Sequence, residues 1–142
     1  MAAVNTDPIF SKVGSVATVG TTMGVAVLTQ QQDYTGINST LVWTADATNG
    51  GFIQRIRFKA LGTNIATVAR IFLNNGSSPG TAANNQFYGE VSLPATTQIN
   101  TAATIDLDYP MNFALDPTFR IYWQLALTVS AGWIATGIGG KY

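Results

Sequence analysis

The sequence contains no cysteine and no histidine. Without cysteine there is no disulfide framework, no zinc–thiolate centre and no thiol nucleophile. Without histidine the chain lacks the side chain best suited to moving protons near neutral pH, and the commonest metal ligand. Charge is scarce as well: 10% of residues are charged, seven of each sign, and the net charge is zero. Globular domains usually carry about 25% charged residues. A neutral balance excludes bulk attraction to nucleic acid or to an anionic membrane. No stretch approaches the roughly 20 apolar residues of a membrane span. The first twenty residues lack a basic start followed by an apolar run, so no secretory signal is expected.

With charge so sparse, the surface must be covered by Thr, Asn, Ser, Gln and Gly. Such a surface packs against neighbours at little desolvation cost. At 142 residues the chain suits one domain, able to bury roughly 68–70% of its unfolded surface. Helical periodicity is also missing. The best helical candidate is Thr81 to Asn85, one turn at most.

What is present is alternation. Phe52, Ile56, Phe58 and Ala60 share one phase, and Arg55, Arg57 and Lys59 the other, as in a half-buried strand. Further strands are expected at Thr22–Leu28, Leu41–Ala45, Val68–Leu73, Phe87–Leu93, Ile105–Tyr109, Phe119–Val129 (the longest) and Trp133–Ile138. Gly, Pro, Asn and Asp clusters separate them, among them Asn74-Asn75-Gly76 and Asp116-Pro117. About eight short antiparallel strands predict an all-β sandwich of jelly-roll type. Phe58, Trp123, Leu125 and Leu127 are expected in its core. Residues 1–20, with Pro8 and unevenly spaced Val4, Ile9, Phe10, Val13 and Val16, are expected to form an extended arm outside a sandwich of residues 21–142, and to contact another subunit or a larger shell of protein.

No constellation carries chemistry. Asp106 and Asp108 lie in the outward phase of an alternating strand, which makes a solvated face about ten times the better reading over a catalytic or calcium-binding pair. The row Arg55, Arg57 and Lys59 makes a positive stripe, expected to pair with acids such as Asp106 and Asp108 within the chain or across a subunit boundary. Neither a phosphate-binding glycine loop nor a G-x-S-x-G nucleophile elbow is present. Asn38-Ser39-Thr40 and Asn75-Gly76-Ser77 fit the glycosylation sequon but read as turns. Tyr122, opposite in phase to Trp123, is the aromatic expected at the surface. The chain is therefore expected to be no enzyme and to hold no cofactor or metal. Candidate contact residues are Val4, Ile9, Phe10, Val13, Arg55, Arg57, Lys59 and Tyr122.

Several stretches carry a family likeness. They are Thr67–Gly76 (TVARIFLNNG), Ala82–Asn85 (AANN), Glu90–Thr97 (EVSLPATT), Met111–Leu115 (MNFAL) and Ala131–Gly140 (AGWIATGIGG). Over roughly residues 41–142 the chain resembles small structural proteins of tailed-bacteriophage virions. The resemblance names no catalytic residue. It implies a virion component made in the bacterial host cytoplasm and placed on the capsid surface, as a decoration (cement) protein. Its expected partners are the major capsid protein or other virion proteins, and further copies of itself, with a trimer expected. The resemblance also admits a tail, neck or fibre-associated protein. From a different class, a carbohydrate-binding module on a host-recognition structure remains the alternative.

Overall fold

The computed structural model describes residues 11–18 and 33–142. Its strands are β1 (Val13–Thr18), β2 (Thr40–Thr44), β3 (Gly51–Ala60), β4 (Thr67–Asn74), β5 (Asn85–Leu93), β6 (Asp106–Leu115), β7 (Arg120–Leu125) and β8 (Trp133–Lys141). Among the described residues the one helical element is a 3₁₀ turn at Ala82–Asn84, where the sequence admits a single turn. The strands form two four-stranded antiparallel sheets, ordered β1-β8-β3-β6 and β2-β7-β4-β5. Pairing is nested: β1 with β8, β2 with β7, β3 with β6, β4 with β5. A long antiparallel ribbon paired in this way and rolled across two layers is a jelly roll.

The inward residues of both sheets make one core. Trp43, Trp123, Trp133, Phe58, Ile53, Ile56, Ile71 and Leu125 are fully buried. Phe58 and Trp123 meet across the layers at 5.3 Å between ring centroids. Gly51 and Gly137 lie against the Trp43 ring so closely that a Cβ would approach it to 2.7 and 3.0 Å. The indole needs that space, which is why glycine interrupts β3 and β8 there.

The structure corrects several expectations. Residues 13–18 are not part of an outlying arm but the edge strand β1, in register with β8 from Val13↔Lys141 to Thr18↔Thr136. Its inward positions are small, Ser15 and Ala17, lying over Trp43 and leaving Val16 outside and exposed. That pattern does not show the apolar-inward alternation by which a strand is recognised. The expected strand Thr22–Leu28 and the arm residues Val4, Ile9 and Phe10 lie outside the described residues. Residues 119–129 give only the six-residue β7; the longest strands are β3 and β6, with ten residues each. Beyond Leu125 the hydroxyl of Thr67 accepts from Leu127 N–H at 3.0 Å. A side chain thus replaces the ladder partner, the strand ends, and Leu127 swings out to 43% exposure instead of entering the core. A bulge between Ile53 and Arg55 inverts the phase of β3, so Phe52 lies outside while Ile53 and Ile56 both point in. A second, in β5, sets Phe87 on the outer face, opposite Phe72 and out of phase with Val91 and Leu93.

Tyr122 is also corrected: it is 6% exposed. Residues 33–39 lie over the outer face of the β2-β7-β4-β5 sheet and give it a second buried layer. Gln124 Nε2 donates to the Asp33 carbonyl at 2.6 Å, and Asn85 Nδ2 to that of Thr35 at 3.1 Å. The Arg70 guanidinium stacks 4.2 Å from the centroid of the Tyr34 ring. Gly36 presses against the Phe72 ring. Periodicity assigns Tyr122 to the outer face correctly, but cannot foresee that a preceding segment covers that face.

Candidate functional site

The positive stripe is placed on the outer face of the β1-β8-β3-β6 sheet, where its two arginines are ion-paired within the chain. Arg57 is ion-paired with Asp106 and Arg55 with Asp108, the latter at 3.7 Å. Lys59 Nζ donates to the Thr104 carbonyl. The side chains in both ion pairs are well exposed, so each pair is worth about 0–1 kcal/mol. Val13 sits apart from this stripe, at the start of β1 and 61% exposed. Tyr122 is buried in the opposite sheet. The structure therefore brings Arg55, Arg57 and Lys59 together, and does not join Val13 or Tyr122 to them. Val4, Ile9 and Phe10 are outside the described residues.

A different surface stands out, made by the three connections at one end of the jelly roll that lie wholly within the described residues. They are residues 61–66 between β3 and β4, 94–105 between β5 and β6, and 126–132 between β7 and β8. Together they run to 25 residues, and none of these is charged or aromatic. Five large aliphatic side chains stand out from them or from their edges: Leu61, Ile65, Ile99, Ile105 and Leu127, each 41–58% exposed. Single exposed aliphatic residues are ordinary; five grouped on a charge-free end mark a contact surface.

This end is rigid because one side chain ties all three connections. Asn64 is 3% exposed. Its Oδ1 accepts from the N–H groups of Ala131 at 2.9 Å and Gly132 at 2.8 Å, and its Nδ2 donates to the Gly132 carbonyl at 3.1 Å. Its backbone exchanges both hydrogen bonds with Thr96, at 3.0 and 2.9 Å. The Thr96 hydroxyl donates to the Gly62 carbonyl at 2.6 Å. Ser130 Oγ donates to the Thr63 carbonyl, and Gln98 N–H to the Thr63 hydroxyl. Val129, 4% exposed, pins the last connection to the core. An amide fits the hub because it donates and accepts at once and carries no charge to desolvate. Loops ordered in this way lose little conformational freedom when a partner binds.

Sequence reasoning missed this hub. Asn64 sits in an unremarkable LGTNIA stretch, and its partners lie up to 68 residues away. The available signal was negative: the connections flanking it contain no charge.

The aromatic edge is less suited to a ligand. Tyr88, Tyr109 and Phe113 close the gap between β5 and β6. The Tyr109 hydroxyl is pushed above the ordinary tyrosine range by burial and by neighbouring Tyr88. Exposed Tyr34 and Phe87 pack edge-to-face, at 5.1 Å and 78°. Three hollows on the described surface have none of these rings in their lining: one beside Asn74, Asn75, Asn84 and Asn85, one between β1 and β2, and one within residues 94–105. The last, of about 310 Å³, opens on the charge-free end. Among the described residues no three acidic side chains gather where they could hold a metal ion. Nor is any helix there long and apolar enough to cross a membrane.

No family model matches the chain, and neither a curated protein nor a solved structure was found similar to it.

Proposed function

We propose that this chain is a structural protein of a tailed-bacteriophage virion, a capsid decoration (cement) protein that binds the outside of the head and stabilises it without catalysis. The observation that carries this reading is the preorganised, charge-free, aliphatic loop end tied by Asn64. It is a surface for protein contact. It lacks the Trp, Tyr and Arg that make tight hot spots, so each contact is weak. Weak contacts suffice where many copies act on a repeating lattice, because avidity multiplies them. The resemblance of residues 41–142 to virion structural proteins points the same way. The jelly roll alone does not, since the same architecture serves unrelated functions.

The tail, neck or fibre placement shares this chemistry and differs only in the lattice bound. The carbohydrate-binding alternative asks for aromatic side chains along a groove. All three tryptophans are buried, and Tyr34 and Phe87 are turned against one another outside the hollows.

The test is co-sedimentation of the purified full chain with undecorated heads of the phage that encodes it, with imaging of the complex. Saturable binding is expected, with density repeated over the shell and heads that withstand more heat. No binding, or density confined to the tail, would overturn the head assignment.

A further inference from the structure

We infer that the loop end is a homotypic face, on which copies of this chain pack against one another around a rotation axis passing near that end. The inference deepens the proposed function, and rests on reading the chain as an assembly module.

The argument is one of charge and chemistry. Around a rotation axis, residues close to the axis meet their own counterparts in the next copy. A charge there faces a like charge, which costs free energy on a surface being dried. Contact with an unrelated protein has no such restriction and commonly gains specificity from opposed charges. The 14 charged residues are absent from all three connections, yet they occur on the β3-β6 face, at the opposite end and beside Tyr34. Three adjoining connections all free of charge are what self-contact near an axis favours, whereas at the opposite end two of the three, 45–50 and 116–119, carry Asp46 and Asp116. The rim carries Lys59, Arg57 and Asp106 at the base of the same end, which matches an apolar interface centre bordered by polar residues.

The other occupants fit less well. A membrane-docking tip carries Trp or Tyr at the headgroup level and Lys or Arg against anionic lipid. A sugar site carries aromatic rings. The three connections have none of these. Size is also adequate: five of the 25 residues are buried, and the remainder approaches the roughly 20–30 residues per side of a standard interface.

The test is the molar mass of the full chain by light scattering and sedimentation over a range of concentrations. The wild type is expected to assemble as a multiple of 15.0 kDa. Ile65→Lys and Ile99→Lys each place a charge on the face, and should weaken assembly at least tenfold. Ile65→Ser serves if a lysine variant fails to fold, and Ser77→Lys at the opposite end should assemble as the wild type does. A wild type that stays monomeric at every concentration overturns the inference, as does a folded Ile65→Lys that assembles normally. The same variants mixed with heads separate the two claims. If the wild type is monomeric, yet binds heads through a contact that Ile65→Lys abolishes, the face takes the shell; the homotypic inference falls and the decoration reading stands. If the wild type oligomerises through this face but never binds heads, the homotypic inference stands and the decoration reading falls. Co-flotation with phosphatidylcholine vesicles would assign the face to lipid and overturn both.

Discussion

The two ends of the jelly roll are made of similar small polar residues, yet they are tied differently. At the end formed by residues 45–50, 75–84 and 116–119, most ties are local. Asp46 Oδ1 accepts from the N–H groups of Thr48 and Asn49, both at 2.9 Å, and Asn75 Oδ1 accepts from Ser77 N–H at 3.0 Å. Asn74 and Asn75 reach across the β4–β5 turn to Asn85 and Asn84. Thr118 holds a left-handed backbone, φ 71°, with its N–H on the Asp46 carbonyl. Charge is tolerated there, on Asp46, Asp116 and nearby Arg120. At the other end the ties run between connections, through Asn64 to residues 67 and 68 positions away, and none of the 25 residues of the three connections is charged. Long-range backbone bonds occur at both ends, since Thr118 N–H and Ala45 N–H join residues 116–119 to 45–50. What sets the Asn64 end apart is a buried side chain bonded to the other connections and the absence of charge from all three. That difference is the structural basis for assigning contact to the Asn64 end.

The largest expected effect tests those ties. Asn64→Ala strands the N–H groups of Ala131 and Gly132 in a buried place, and should cost about 3 kcal/mol, since each buried unsatisfied group costs roughly 1–3 kcal/mol. Asn74→Ala removes the acceptor for Gly76 N–H and the donor to Asn85. Asn74 is itself buried, but both of these bonds are only part-buried and Asn85 lines the open hollow of about 260 Å³ at that end, so water can replace the amide. Its cost should be nearer 1 kcal/mol. Urea denaturation of both variants measures the gap. Equal losses would mean that the two ends are tied alike.

The smallest effect belongs to Asp46, which lies half-buried in a surface turn. The N–H groups of Asn49 and Thr48 stabilise its carboxylate, holding its pKa below the ordinary 3.8. A depressed carboxylate contributes stability above its unfolded pKa and loses it as the pH falls through the lower folded value. Asp46→Ala should therefore lower the melting temperature slightly at pH 7, and the difference from wild type should shrink as the pH drops below 3.8. A difference that does not change with pH would show that the turn gains nothing from the charge.

The same contrast explains what could be read from the sequence. Period-2 alternation and turn clusters are local signals, and they yield the all-β sandwich, most strand positions and the buried Trp123 and Trp133. The Arg55, Arg57, Asp106 and Asp108 pairing was legible because the two rows share an outward phase. Features set by distant partners were not legible. Leu127 leaves the core because the Thr67 hydroxyl ends its strand, Tyr122 is covered by residues 33–39, and β1 hides its small inward residues over Trp43 of the other sheet. Asn64 is the clearest case, since only the folded chain brings its partners together.

Because the chain has no native cysteine, one experiment can compare the two ends directly. Ile65→Cys and Ser77→Cys each supply a single thiol, one at each end and both at exposed positions. Their rates of reaction with a thiol-specific reagent are to be measured in dilute, dissociated protein and again at concentrations where the copies assemble. Assembly should slow the Ile65→Cys variant at least tenfold and leave the Ser77→Cys variant unchanged. Protection of the Ser77→Cys variant with the Ile65→Cys variant still reactive would contradict the account, and place the contact at the opposite end.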